Sequence, residues 1–202
     1  WNPHSLNLYY DSGYKHTFGK ILNKLVAVSC LLILVVSLLA GYLFDVHIFG
    51  ISFFNPVYRS GIIIIPIVMI GYLFNGISSY YSVYPQVSNK SYHLMTSELI
   101  AFLVNVLSNI ILIPRLGIIG AALSTAIGFL FGASWLFIIS RSQIKIDYHI
   151  KELLIIIISA IGLLLIGKNV NSITVDIILI LLYLLILRFY GKIKLTFLFK
   201  VT

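Results

Sequence analysis

Charge is scarce in this sequence. Asp, Glu, Lys and Arg make up 10% of its 202 residues, where a soluble domain carries about 25%. The shortage excludes an ordinary soluble fold. Hydrophobic residues reach 60% and the mean hydropathy is +1.05, more apolar surface than a core of this size absorbs, so the bilayer must act as solvent. Cysteine is nearly missing. Cys30 stands alone inside an apolar run, which rules out a disulfide within the chain and leaves packing as its expected role. His4, His16, His47, His93 and His149 are scattered, with no pair at a ligand-like spacing of three or four. No metal and no cofactor are therefore expected. There is no Asp-x-Asp in an outer loop and no glycine loop to cradle a phosphate. His149 and Glu152 are three apart, but they sit in a charged loop beside Lys151 and read as solvated. No catalytic constellation remains, so an enzyme is not expected. Internal repeats, heptads and a signal peptide are also missing. The chain starts at Trp1 rather than Met, and the expectation is a piece of a longer protein.

What the sequence does contain is long apolar runs, uncharged except for Glu98 near the start of the third and Asp176 near the outer end of the sixth. Leu25–Phe44, Gly61–Val83, Leu94–Ile113, Leu116–Ile139, Leu153–Gly167 and Ile173–Leu187 read as six transmembrane helices (residues 25–44, 61–83, 94–113, 116–139, 153–167 and 173–187). The fold class is therefore all-α and polytopic. About 20 residues span the hydrocarbon core. The last two runs fall short of that, and Lys151, Lys168 and Arg188 could snorkel to extend them. Pro66, Gly71 and Gly76 softly break the second run, and Tyr84-Pro85 ends it. Pro114-Arg115 separates the third and fourth runs with almost no loop, which predicts a tight antiparallel hairpin. Asn55-Pro56 falls in the longest outer loop, about Asp45 to Ser60.

The distribution of charge sets the orientation. With the N-terminal segment inside, Lys15, Lys20, Lys24, Lys90, Arg141, Lys145, Lys151, Arg188, Lys192, Lys194 and Lys200 all fall on the cytoplasmic side. Only Arg59, Arg115 and Lys168 fall outside. The positive-inside rule then selects N-in and C-in. The net charge of +8 follows from this bias. The basic residues form no single patch, so membrane lipid is the expected partner and nucleic acid is not.

Polar residues within the runs carry the functional information. Asn75, Ser79 and Ser82, with Ser78 beside them, make a stripe on the second helix. On the third, Glu98, Asn105 and Asn109 stand at about 0°, 340° and 20° around the axis, at ~100° per residue. A charge at the centre of a membrane helix costs about 2.5–3.5 kcal/mol on insertion scales, so this stripe should face another helix or a wet cavity. Two readings are open: hydrogen bonding between helices, or a cavity wall that binds substrate or a coupling cation. On the fourth helix Gly120, Ser124, Gly128 and Gly132 repeat every four residues and form a smooth ridge for close helix packing. Tyr80, Tyr81, Tyr84 and Tyr92 cluster as an interfacial aromatic belt would.

The stretch NVLSNIILIPRLGIIGAALSTAIG, Asn105 to Gly128, resembles a signature of bacterial polysaccharide flippases of the multidrug/oligosaccharidyl-lipid/polysaccharide exporter superfamily. The matching features are Asn105 and Asn109, Leu112-Ile113-Pro114, Gly117, Gly120-Ala121-Ala122 and Thr125. Upstream, IFG at 48–50, FNGISSYYSVY at 74–84 and the loop with Lys90 are similar too. The resemblance covers most of the chain and is strongest from about 48 to 140. It implies a two-lobe exporter fold around a central cavity, with this chain holding most of the C-terminal lobe plus two extra helices and lacking the N-terminal lobe. It also implies translocation of undecaprenyl-pyrophosphate-linked oligosaccharide by alternating access, with other polysaccharide-assembly membrane proteins as partners. Cavity-facing Asn75, Ser79, Glu98, Asn105 and Asn109 would touch substrate. A drug/cation exporter of the same superfamily and a membrane polysaccharide polymerase are the alternative readings.

Overall fold

The computed structural model describes residues 14–45, 47–48, 51–52, 55–141, 143, 146–170 and 172–189. His4, the Phe49-Gly50 part of the 48–50 motif, and Lys145, Lys192, Lys194 and Lys200 of the charge count lie outside the described residues. The helices are α1 (Tyr14–Leu39), α2 (Ile65–Tyr81), the short α3 (Val83–Val87), α4 (Tyr92–Leu116), α5 (Ile118–Arg141), α6 (Ile150–Val170) and α7 (Ile173–Phe189). Two 3₁₀ segments, Tyr42–Asp45 and Pro56–Ile64, precede α2. Strand among the described residues is one antiparallel pair of two-residue strands, in register His47↔Ser52 and Ile48↔Ile51.

Among the described residues, five helical stretches are long and apolar enough to cross a membrane: Lys15–Leu39, Tyr58–Val87, Tyr92–Leu116, Ile118–Arg141 and Ile150–Val170. A sixth helix, α7, has 17 residues. The chain is an all-α, multi-pass membrane protein.

Several boundaries differ from the apolar runs. The first helix begins at Tyr14 and ends at Leu39, because a membrane helix continues through lysine-bearing interfacial residues that an uncharged-run criterion cuts away. The fifth has 21 residues and spans without help, since Ile150, Lys151 and Glu152 at one end and Lys168, Asn169 and Val170 at the other are helical. Pro114 lies inside α4 instead of between helices. The reversal is made by Gly117 alone, at φ 54° and ψ −128°, backbone space open almost only to glycine. Tyr84-Pro85 does not end the second span either, because both residues lie within α3.

The fold divides into two compact units. The first comprises Trp1–Leu25 and Ile67–His149, and the second Val26–Pro66 and Ile150–Thr202. In the first, α5 is the central element. Its buried positions include Gly120, Ser124, Gly128 and Gly132 toward α4, and Ala126 toward α2. Gly71 is a packing residue and not a break: a Cβ there would lie 3.2 Å from Ala126 Cα. The tyrosine cluster also differs from expectation. Tyr80, Tyr81 and Tyr84 are buried, and only Tyr92 is exposed. The Tyr80 hydroxyl donates to the Phe18 carbonyl at 2.9 Å, and the Tyr81 and Tyr148 hydroxyls lie 3.1 Å apart. A buried phenol that finds a partner stabilises a core, so these tyrosines tie distant segments together.

The second unit packs α6 on α7 through matched stripes. Ile156, Ala160, Leu163 and Gly167 recur on one, and Asp176, Leu179, Tyr183 and Leu187 on the other. Both follow the three-to-four residue period of a helix face. Cys30 is buried in this unit, within reach of Tyr183.

Candidate functional site in the helical hairpin

The α4–α5 hairpin carries most of the polar residues singled out in the sequence. Small residues on α5 bring the backbones together. A Cβ on Gly128 would lie 2.8 Å from the Ala101 carbonyl oxygen, and one on Gly132 would lie 3.2 Å from Ala101 Cβ and the Ser97 carbonyl oxygen. Gly120 sits against the Leu112 carbonyl. Ser124 is fully buried, and its hydroxyl returns to the Gly120 carbonyl at 2.8 Å. The Ser97 hydroxyl crosses the interface to the Gly132 carbonyl at 2.9 Å. All four ridge residues therefore lie buried within the packed helices, as expected when the driving force between membrane helices is close contact and not water exclusion.

Close approach draws the polar stripe into a short relay. Asn109 Nδ2 donates to Asn105 Oδ1 at 3.0 Å. Asn105 Nδ2 donates to Thr125 Oγ1 at 3.4 Å, and Thr125 Oγ1 donates to the Ala121 carbonyl at 3.1 Å. Asn109 Oδ1 is buried with no hydrogen-bond partner among the described residues. Beside the relay a groove of about 290 Å³ opens, lined by Glu98, Phe102, Asn105, Thr125, Gly128 and Phe129. Glu98 is exposed there and Asn105 is half-buried. Asn105 is the fourteenth residue of the 25 in α4, near the middle of the span, while Glu98 lies about 9 Å along the axis from its start.

Among the five substrate-site candidates, Glu98 and Asn105 share the groove, and Asn109 joins them only through its bond to Asn105. Asn75 and Ser79 do not line it. Asn75 is half-buried on α2 and Ser79 is exposed, its carbonyl accepting from the Ser82 hydroxyl at 2.7 Å. The stripe angle on α2 specified a face but not its neighbour. Sequence reasoning did not single out Phe102 and Phe129 as groove residues. Their signal was weak, because aromatic residues in an apolar helix are unremarkable without knowledge of its partner. Phe129 is set by Tyr72, with ring centroids 6.2 Å apart.

A multi-pass α-helical membrane protein with a part-polar groove between two closely packed helices is the class these features define. No protein-family model matches the chain, and no solved structure matches it. A similar protein is an uncharacterized membrane protein of Methanocaldococcus jannaschii, 30% identical over 139 residues. The match covers 63% of this chain and 24% of that protein, so the chain spans about a quarter of the length of its relative.

Proposed function

We propose that the chain forms the C-terminal part of a flippase that moves undecaprenyl-pyrophosphate-linked oligosaccharide across the bacterial cytoplasmic membrane, N-in and C-in, by alternating access. The observation that supports this most is the convergence of Glu98, Asn105 and Thr125 on one groove, within the hairpin whose sequence resembles the flippase signature. Amide and hydroxyl groups at mid-membrane depth can exchange their mutual hydrogen bonds for bonds to sugar hydroxyls. Phe102 and Phe129 offer apolar walls to the C–H faces of a sugar ring. Glu98 would repel pyrophosphate, so it fits a coupling cation or a cationic partner better than the lipid phosphate. Polar side chains in a membrane span are expensive unless they serve such contacts, which favours a transport role over lipid-facing decoration.

The test is complementation, with the full-length protein, of a strain lacking its own flippase. Glu98→Gln and Asn105→Ala are each expected to lower surface polysaccharide at normal membrane abundance. Lost abundance would assign these residues to packing instead. Unchanged polysaccharide in both variants would overturn the site. Altered drug susceptibility with normal polysaccharide would replace the flippase by a drug exporter.

A further inference from the structure

The second unit contains a polar cavity that the transport reading does not use. It measures about 360 Å³ and is lined by Ser37, Tyr42, Arg59, Gly167, Lys168 and Asp176, among others. These residues lie at helix ends. Ser37 is in the last turn of α1, and Tyr42 and Arg59 belong to the two 3₁₀ segments. Lys168 is in the last turn of α6 and Asp176 in the first turn of α7. This is the depth at which the apolar core of a bilayer gives way to head groups.

Two buried polar atoms in this wall lack partners. Asp176 is 3% exposed, and its Oδ2 accepts from the Tyr42 hydroxyl at 2.7 Å. Its Oδ1 is buried with no hydrogen-bond partner among the described residues, and the same holds for Ser37 Oγ in a side chain 7% exposed. Buried polar atoms are almost always satisfied, and a charged one left alone is costly. Gly167 lets the α6 backbone pack directly against this carboxylate: a Cβ there would lie 2.9 Å from Asp176 Oδ1 and would also collide with the Leu38 side chain. The exposed side chains of Arg59 and Lys168 border the same space, and both residue types bind phosphate oxygens well.

We infer that this cavity binds the head group of an aminoethyl phospholipid. The phosphate lies against Arg59 and Lys168, and the primary ammonium donates to Asp176 Oδ1 and Ser37 Oγ. A bare phosphate would bring no cationic donor to the carboxylate and would add negative charge beside it. A choline head group would bring no donor either, because its nitrogen carries no hydrogen. A free aminoethyl phosphate shares the chemistry, but the site sits at helix ends with Leu38 and Ile62 in its wall, which suits a head group whose acyl chains run down the unit.

Native mass spectrometry of the full chain in dodecyl maltoside tests this. Phosphatidylethanolamine and phosphatidylcholine of identical acyl chains are titrated in parallel, with soluble glycerophosphoethanolamine as competitor. The ethanolamine lipid should be retained at roughly tenfold lower concentration than the choline lipid. Asp176→Asn should abolish that preference. Lys168→Gln, at an exposed position, should weaken both lipids alike and keep the preference. Where Asp176→Asn does not accumulate as folded protein, Ser37→Ala reads the same preference, which should fall several-fold. Equal retention of the two lipids by the unaltered chain, or a preference untouched by the Asp176 and Ser37 variants, overturns the assignment. Displacement of the lipid by an equal concentration of the soluble competitor overturns its lipid part.

Discussion

Alanine at Gly128 puts the hairpin's packing to a quantitative test. The added Cβ would lie 2.8 Å from the Ala101 carbonyl oxygen and 3.0 Å from Asn105 Cβ. The first of these is backbone and cannot rotate away, so the two helices must part locally. Overpacking of this kind costs about 1–3 kcal/mol. Alanine also gains about 1 kcal/mol over glycine in helix propensity, which offsets part of the clash in a single variant. Gly162 separates the two effects. It lies inside α6, and a Cβ there meets nothing within 4 Å. Gly162→Ala keeps the propensity gain without the clash, and the difference between the variants isolates the steric term. It should be about 1–3 kcal/mol, or roughly 5- to 150-fold in the folding equilibrium. Purified protein titrated from mixed micelles into sodium dodecyl sulfate, followed by tryptophan fluorescence in a Trp1→Phe background so that Trp135 on α5 reports alone, provides the measurement. Equal stability of the two variants would refute close packing of α4 on α5 at this level. Gly132→Ala, whose nearest contacts are 3.2 Å, should fall between them.

Tyr80→Phe should destabilise the first unit by about 0.5–1.5 kcal/mol in the same titration, because it removes the buried hydrogen bond from the Tyr80 hydroxyl to the Phe18 carbonyl; an unchanged midpoint would mean that this bond contributes nothing. Ser97→Ala removes a single hydroxyl bond to the Gly132 carbonyl and should cost only about 0.6 kcal/mol, the average for such bonds between membrane helices. A loss beyond about 2 kcal/mol would show that Ser97 does more than that. For orientation, Asn55→Cys and Asn89→Cys in a Cys30→Ala background are treated in whole cells with a membrane-impermeant maleimide. Both positions are exposed. Labelling at 55 and not at 89 is expected, and the reverse pattern would sink the N-in assignment.

Among the described residues, hydrophobic runs were enough to locate the five helices long and apolar enough to cross a membrane and the shorter α7, because a span in lipid is set by length and scarcity of charge. They were a poor guide to helix ends, since Lys20 and Lys24 in α1 and Lys151 in α6 continue helices beyond the apolar window. The four-residue repeat from Gly120 to Gly132 was legible as a packing ridge, because only small side chains at that spacing make a flat strip. The partner at each step was not: Ala101 and Ser97 lie on another helix, and only the turn geometry at Gly117 fixes the register that opposes them. The tyrosines misled for the same reason. Tyrosine near a helix end looks interfacial by composition, yet the partner that buries Tyr80 lies 62 positions away. Asp176 was visible as an acid near the end of an apolar helix. Its pairing with Tyr42, 134 positions distant, carried no local trace.

The single-residue reversal at Gly117 also bears on how the protein enters the bilayer. Ribosomes extend chains at about 5–20 residues per second, so the roughly 50 residues of α4 and α5 take on the order of 2–10 s to emerge. During that time α4 carries Glu98, Asn105 and Asn109 with no α5 to cover them. A connection of one residue leaves no slack for α4 to settle in lipid alone and be joined later by a separately inserted α5. Delivery of the two as a pre-paired hairpin, with Asn105 already beside Thr125, would spare the lipid contact with that polar stripe.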